Sequence, residues 1–216
     1  MAQGCPVVVP AAGASLRMGR PKPLLDFGGR SCIDLVVGAC REAGCGPVYV
    51  VLGADRDKIR PAIPEGPGII VLVNEHHERG QTGSVKCGLL AVAESAAGFL
   101  IFPVDHPLVE SADLRRILEA FDEAAPEAGV FPVFKGRRGH PILLGRGHRA
   151  GILALGDGEP LHDYVRPRVD AFTQVEVDNA WVVASMNTER EYLLALEEHR
   201  RRERSRAGGR PSDERA

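Results

Sequence analysis

Several things are scarce in this chain, and each shortage removes a class of protein. Its 216 residues hold five cysteines (Cys5, Cys32, Cys40, Cys45 and Cys87), an odd number with no C-x-x-C spacing. Neither a zinc knuckle nor a disulfide framework is built that way, so they read as small core hydrophobes kept reduced. No apolar run reaches the length of a membrane span. The N-terminus, MAQGCPVVVP, lacks a basic n-region and runs straight into an apolar strand. A signal peptide is therefore not expected, and a cytoplasmic setting is. Excess charge is missing too: 27 Lys and Arg against 29 Asp and Glu leave a formal −2. That balance makes no case for nucleic acid or a membrane surface as partner. The two common phosphate fingerprints also fail. G-x-x-x-x-G-K-[ST] needs Lys directly after its second Gly, but Gly19 is followed by Arg20-Pro21, and G-x-G-x-x-G breaks at Ser15.

What is present is an ordinary globular composition, 44% hydrophobic with 5% aromatic. The length suits one α/β domain with a full core. Apolar runs alternate with helical patterns: VVVP, PVYVVLG, GIIVLVN and GFLIFPVD read as strands. Between them, Ser31 caps a helix that ends at Gly44, Asp55 to Ala62 makes a short one, and Gly80 to Ala97 another. Ser111 to Ala124 follows as an amphipathic helix, and GVFPVF starts another strand. This alternation predicts a mostly parallel sheet with helices on both faces, its ligands beyond the carboxyl ends of the strands. One rim then gathers the Ala11–Lys22 loop, the Asn74–Ser84 segment and Asp105. The second half is less regular. GRRGHPILL is a basic turn and a strand, HRAGILAL and GEPLHDYVR are short helices, and TQVEVDNAWVV gives one or two strands. Thr188 to Arg204 is helical with Tyr192, Leu193 and Leu196 inward. A charged tail, 201–216, is expected to be disordered, with a basic recognition arm as the weaker alternative. Residues 1–200 then form a single domain.

The stretch with the most chemistry is VVVPAAGASLRMGRPKPLL, from Val7 to Leu25. A buried strand empties into small residues that let a ligand approach the backbone. Arg17 and Lys22 follow within one loop's reach. Successive N–H groups in such a loop form an anion nest, and two fixed cations neutralise what charge remains, which suits a triphosphate.

Ala11, Ala12, Gly13, Ser15, Arg17, Met18, Gly19, Pro21 and Lys22 together, A-A-G-x-S-x-R-M-G-x-P-K, resemble the signature of the MobA-like nucleotidyltransferases. The likeness is closest to molybdenum cofactor cytidylyltransferases. It implies a single-domain, Rossmann-like α/β fold of the nucleotide-diphospho-sugar transferase type. It also implies a transferase that moves CMP from CTP to the phosphate of a molybdopterin acceptor and releases pyrophosphate. A recipient molybdoenzyme or its chaperone is then a further partner. Two other readings stay open: a sugar- or polyol-phosphate nucleotidyltransferase, and a non-catalytic carrier of the molybdenum cofactor.

The resemblance distributes roles along the chain. Asn74, Gly80 and Ser84, with Gly88, match N-x-x-x-x-x-G-x-x-x-S-x-x-x-G-L and are assigned to the nucleotide; by spacing alone Ser84 is a helix-start residue. Asp105, a carboxylate at the end of a buried strand, is the candidate Mg²⁺ ligand, and a turn cap is its alternative. Arg17, Lys22 and Asp105 are the candidate catalytic groups. Gly139-His140-Pro141 resembles the family's acceptor-side turn, so Arg138 and His140 are assigned to the acceptor, against a solvated basic turn. His106 reads as packing, and His76-His77 as solvated loop residues. The departure is Ser185-Met186-Asn187-Thr188-Glu189-Arg190-Glu191, where the family often carries D-x-[DN]-T-P-E-D. Asn187 survives there as a neutral oxygen for the metal, and the first acid is a serine.

Overall fold

The computed structural model describes residues 4–13, 18–156 and 158–208. Its centre is β1 (Val7–Pro10), every residue of which is buried. Beside it lie β2 (Val48–Leu52) and β4 (Gly98–Ile101), and β3 (Ile69–Val73) pairs with β2 at the sheet edge. All of these pairings are parallel. Runs of branched apolar residues form strands here because both faces are covered, so alternation is not needed.

Two clusters do the covering. On one face Val7, Val9, Val50 and Leu52 meet α1 (Cys32–Glu42) and α4 (Ser111–Glu119) through Ile33, Val36, Leu114 and Ile117. On the other, Val8, Tyr49 and Val51 meet α3 (Gln81–Ala91) through Val85 and Leu89. α1 begins as expected, with the Ser31 side chain accepting from the Asp34 N–H, and closes at Gly44, whose N–H donates to the Arg41 carbonyl. Between β2 and β3, α2 (Arg56–Ile59) is a single turn continued as a 3-10 turn to Ala62.

The sheet continues from β4 to β7 (Ile142–Gly145), then β5 (Gly129–Phe134), with β6 (Arg137–Arg138) and β8 (Thr173–Glu176) both on β5. β7 runs antiparallel to β4 and to β5, while β8 is parallel to β5. Six of the eight strands therefore point one way, the mostly parallel sheet the alternation predicts, with α5 (His148–Leu153) and α6 (Leu161–Val165) beyond it.

The structure revises several sequence expectations and decides one that was open, whether 173–183 holds one strand or two. The helix expected to reach Ala97 stops at Ala91, because Val92 turns extended and the Arg149 guanidinium takes its carbonyl at 2.8 Å. The helix expected over Ser111 to Ala124 likewise closes at Glu119. After β8 there is no second strand at 180–182 but a 3-10 turn, capped by the Asn179 side chain on the Trp181 N–H. Last, α7 runs from Glu189 to Gly208, so residues 201–208 are helical where disorder was expected. Arg202 holds that end down, donating to the Leu108 carbonyl, Glu110, Glu198 and Asn179. Within α7, Tyr192, Ala195 and His199 face inward and Leu193 is 54% exposed, since the i, i+3, i+7 spacing selects that face.

Candidate active site

Beyond the carboxyl ends of β1 and β4 lies a cavity of about 690 Å³. Ala11, Ala12 and Gly13 form one wall where the chain leaves β1, and Gly80 and Ser84 at the start of α3 form another. Lys22, Asp105 and Asn187 complete it. The rim expected from three separated stretches thus exists. Ser15 and Arg17 lie outside the described residues, so their assignment stays a proposal.

Each group has a local reason for its place. β4 stops at Ile101 because Pro103 has no N–H for the ladder, and the turn that follows carries Asp105. Asp105 also accepts from the Met186 N–H at 3.1 Å through its main-chain oxygen, which draws the Ser185–Asn187 stretch to it. Lys22 begins a 3-10 turn (Lys22–Leu24) fixed by the prolines on either side of it. Its ammonium donates to Asn187 Oδ1 at 2.7 Å and stands 3.5 Å from Asp105 Oδ2. Asn187 is steadied in turn: its Nδ2 donates to Ser185 Oγ at 2.8 Å, and its N–H donates to Glu191 Oε2 at 2.7 Å.

Glu191 was not among the expected site residues, although Thr188-x-x-Glu191 ahead of a helix is the signature of a capping box. The Thr188 N–H also donates to Glu191, and the Glu191 N–H to Thr188 Oγ1. The bond from the Asn187 N–H, first, holds the Glu191 carboxyl below its ordinary value.

Asn74 sits behind the wall instead of on it. Its Nδ2 donates to Ser84 Oγ at 3.1 Å and its Oδ1 accepts from the His76 N–H, so it orients Ser84, which faces the cavity. Gly80 adopts φ +109, a left-handed conformation that glycine supplies without a Cβ penalty, and it turns the chain into α3. His77 lines the cavity; it was read as solvated, and it is half-buried against Gly53.

A second cavity, about 500 Å³, shares Gly80 and Gln81 with the first. Its walls are apolar: Val85, Ile101, Phe131, Ile142, Val165 and Val169. Arg138 and His140 line it as well, which brings together the two residues assigned to the acceptor. The Gly139 position cannot hold a Cβ, which would fall 2.4 Å from the Val182 carbonyl oxygen. The His140 N–H donates to that same carbonyl at 2.7 Å, and the His140–Pro141 peptide is cis. Arg138 is salt-bridged to Asp170 at 2.9 Å at the mouth.

The His106 and His140 rings meet tilted, at 4.9 Å between centroids and 52° between planes, with His106 Nε2 3.8 Å from Asp105 Oδ1. Burial pushes both imidazoles down, His140 to about 4, so both are neutral at pH 7. Among the described residues, His140 Nδ1 is the one buried side-chain nitrogen or oxygen without a hydrogen-bond partner. His106 was read as packing, and it is buried against the Trp181 carbonyl. No local signal pairs it with His140.

The oxygens suit a hard divalent cation in a minimal way. Asp105 offers one carboxylate and Asn187 one neutral oxygen, and Mg²⁺ is ordinarily held by one or two carboxylates plus substrate phosphates. Among the described residues no cluster of three His, Cys, Asp or Glu could hold a metal.

A cavity beyond the carboxyl ends of the strands, in a mostly parallel sheet covered on both faces, is where α/β proteins hold their ligands. The chain belongs to the MobA-like NTP transferase domain family, which it matches over residues 7–170. It is 31% identical over 156 residues to the bifunctional protein GlmU of Bdellovibrio bacteriovorus, covering 70% of this chain and 33% of that one. Similarity to the 2-C-methyl-D-erythritol 4-phosphate cytidylyltransferase of Thermus thermophilus is 33% over 128 residues, 59% of this chain and 54% of that one. The chain therefore spans between a third and about half of these two relatives. Nicotine blue oxidoreductase of Paenarthrobacter nicotinovorans is 29% identical over 70% of this chain and 76% of its own length. Among solved structures, Rv0371c of Mycobacterium tuberculosis superposes with a TM-score of 0.78 at 26% identity, over 91% of this chain and all of that one. Rv0371c has also been solved in complex with manganese. Among the described residues no helix is long and apolar enough to cross a membrane.

Proposed function

We propose that the chain is a nucleotidyltransferase that moves CMP from CTP to the phosphate of a molybdopterin-type acceptor, releasing pyrophosphate. The observation that carries the reading is the pair of joined cavities. One has a small-residue loop with a lysine and a carboxylate, and the other has apolar walls on which Arg138 and His140 stand. The acceptor phosphate attacks the α-phosphorus in line and pyrophosphate leaves. A phosphate nucleophile is already ionised at neutral pH, so a general base is not needed. The obstacle is repulsion between anions and charge on the leaving group. Lys22 offsets it electrostatically, and Arg17 is assigned the same role. The loop N–H groups following β1 hold the phosphates, with Ser15 assigned beside them. Ser84, steadied by Asn74, faces the base or ribose. Asp105 and Asn187 are the residues to hold Mg²⁺, which supplies charge neutralisation on the phosphates.

The apolar walls favour a flat ring system over a polyhydroxylated sugar, with His140 giving the ring one hydrogen bond and Arg138 its phosphate a charge at the mouth. The cytidylyltransferase relative, named for a polyol phosphate, supports the second reading, a sugar- or polyol-phosphate acceptor. The test is pyrophosphate release with each of four nucleoside triphosphates, offered with molybdopterin or with sugar and polyol phosphates. Release with CTP and molybdopterin is expected. Release only with a sugar or polyol phosphate selects the second reading, and failure to release pyrophosphate with any of the acceptors removes the transferase in favour of a cofactor carrier. A cytoplasmic setting and a recipient molybdoenzyme belong to the same proposal, as does a single catalytic domain ending near residue 200.

A further inference from the structure

Lys22 stands between the two oxygens that a divalent cation would use. Its Nζ is 2.7 Å from Asn187 Oδ1 and 3.5 Å from Asp105 Oδ2, inside the nucleotide cavity. Asn187 is not at liberty to turn its oxygen elsewhere, since its Nδ2 is committed to Ser185 Oγ and its N–H to Glu191. Ser185 contributes no charge, so the formal charge of the Asp105–Lys22–Asn187 group is zero. An ammonium and a divalent cation want the same hard oxygens, and two cations do not share them at such distances without strong repulsion.

We infer that Lys22 is a built-in competitor for the divalent cation, so that the nucleotide-free protein excludes the metal and the triphosphate admits it. An arriving triphosphate draws the ammonium toward its own oxygens, which uncovers Asp105 and Asn187 as it brings further ligands. Metal and nucleotide are then coupled, each raising the affinity for the other by the same factor. The inference rests on the nucleotidyltransferase reading only in taking this cavity as a metal–triphosphate site. The neutral Ser185 helps the competition: Glu191, behind Asn187, is engaged by the Asn187 and Thr188 N–H groups, and a carboxylate at position 185 would add a further charged oxygen beside Asn187.

The test is Mn²⁺ titration of the nucleotide-free protein, following free Mn²⁺ by electron paramagnetic resonance. Lys22→Met is expected to bind Mn²⁺ about tenfold or more tightly than the wild type, because a unit charge within about 4 Å of the ion is gone. Lys22→Gln keeps the polarity of the site, and it provides the same reading should the methionine variant fail to fold. Adding Asp105→Asn to either is expected to abolish the gain. Circular dichroism establishes that each protein is folded. Equal Mn²⁺ affinity in wild type and Lys22 variants overturns the inference, and so does the absence of a site in every folded variant. Neither result touches the transferase reading, which stands or falls on pyrophosphate release.

Discussion

The two cavities meet at Gly80 and Gln81 and differ in the polar groups they carry. In the first, Lys22, Asp105 and Asn187 form a hydrogen-bonded polar group with Glu191 and Ser185 behind it. In the second, burial keeps the His140 imidazole neutral, and Arg138, on the same wall, is tied to Asp170 at the mouth. The difference is instructive about transfer between two anions. On the proposed reading, charge is concentrated where the triphosphate would react, and the acceptor's body would be selected by shape. A substitution in one cavity should therefore leave the other's property intact.

The largest separation comes from Lys22. Lys22→Ala is expected to lower turnover about a hundredfold or more, as loss of a charge-stabilising donor does, while the KM for the acceptor changes little. Steady-state kinetics on a folded variant decides it, and wild-type turnover would remove the phosphate-cradle argument. Asp105→Asn is expected to act next, moving the Mg²⁺ optimum upward because an amide is a poorer partner for a hard cation. If its Mg²⁺ titration overlays the wild type, Asp105 serves only its turn.

Ala12 sharpens the comparison from within the first cavity. It is 4% exposed, and a Cβ on Gly53 would lie 2.9 Å from its own, so the loop is packed from behind and its methyl has no room to retreat. Guanine is deeper than cytosine and is crowded by that methyl, an exclusion by clash. CTP is expected to be preferred over GTP, and Ala12→Gly is expected to reduce the preference about tenfold, the scale of one methyl in a pocket. Competition of CTP with GTP, products resolved by mass, measures it; guanosine incorporated as readily as cytidine by the wild type ends the idea.

The same contrast explains what could be read in advance. The first cavity was legible because its loop is contiguous, nine specified positions between Ala11 and Lys22, and because branched apolar runs announce buried parallel strands. Asp105 was legible as a charge ending an apolar run. The Lys22–Asn187 bond joins residues 165 apart, and nothing in either segment announces the other. His106 and His140 meet only because β7 inserts antiparallel between β4 and β5, a pairing that local pattern does not specify. The helical 201–208 segment looked like solvated tail, since Arg202 is held by Glu110 and Asn179, which its own sequence neighbourhood does not contain. Local rules reached the strands and caps; the contacts between distant segments needed the fold.

The smallest expected effect is on stability, and it belongs to the second cavity. His140 titrates near 6.5 in the unfolded chain and at about 4 in the folded one, because burial disfavours its charged form. Between those values the unfolded state binds more protons, so stability rises with pH. His140's contribution is complete above about pH 6.5, erodes as pH falls, and is gone below about 4. His106 and His199 are pushed down in the same direction, again by burial first. Glu191, behind the first cavity, is lowered as well, by the bond from the Asn187 N–H first, so its contribution is lost only below the ordinary carboxylate value of 4.5. Asp113, which burial raises, is common to the wild type and a His140 variant, so a difference between them from pH 6.5 to 5 isolates the histidine. His140→Asn removes one of them and keeps a polar side chain in its place, while His106 and His199 remain in both proteins. Urea midpoints at pH 7, 6 and 5 are expected to fall more steeply for the wild type than for His140→Asn. Parallel profiles would mean that the imidazole reaches solvent and picks up its proton in the folded state, and the second cavity would then lose its claim to be a neutral pocket.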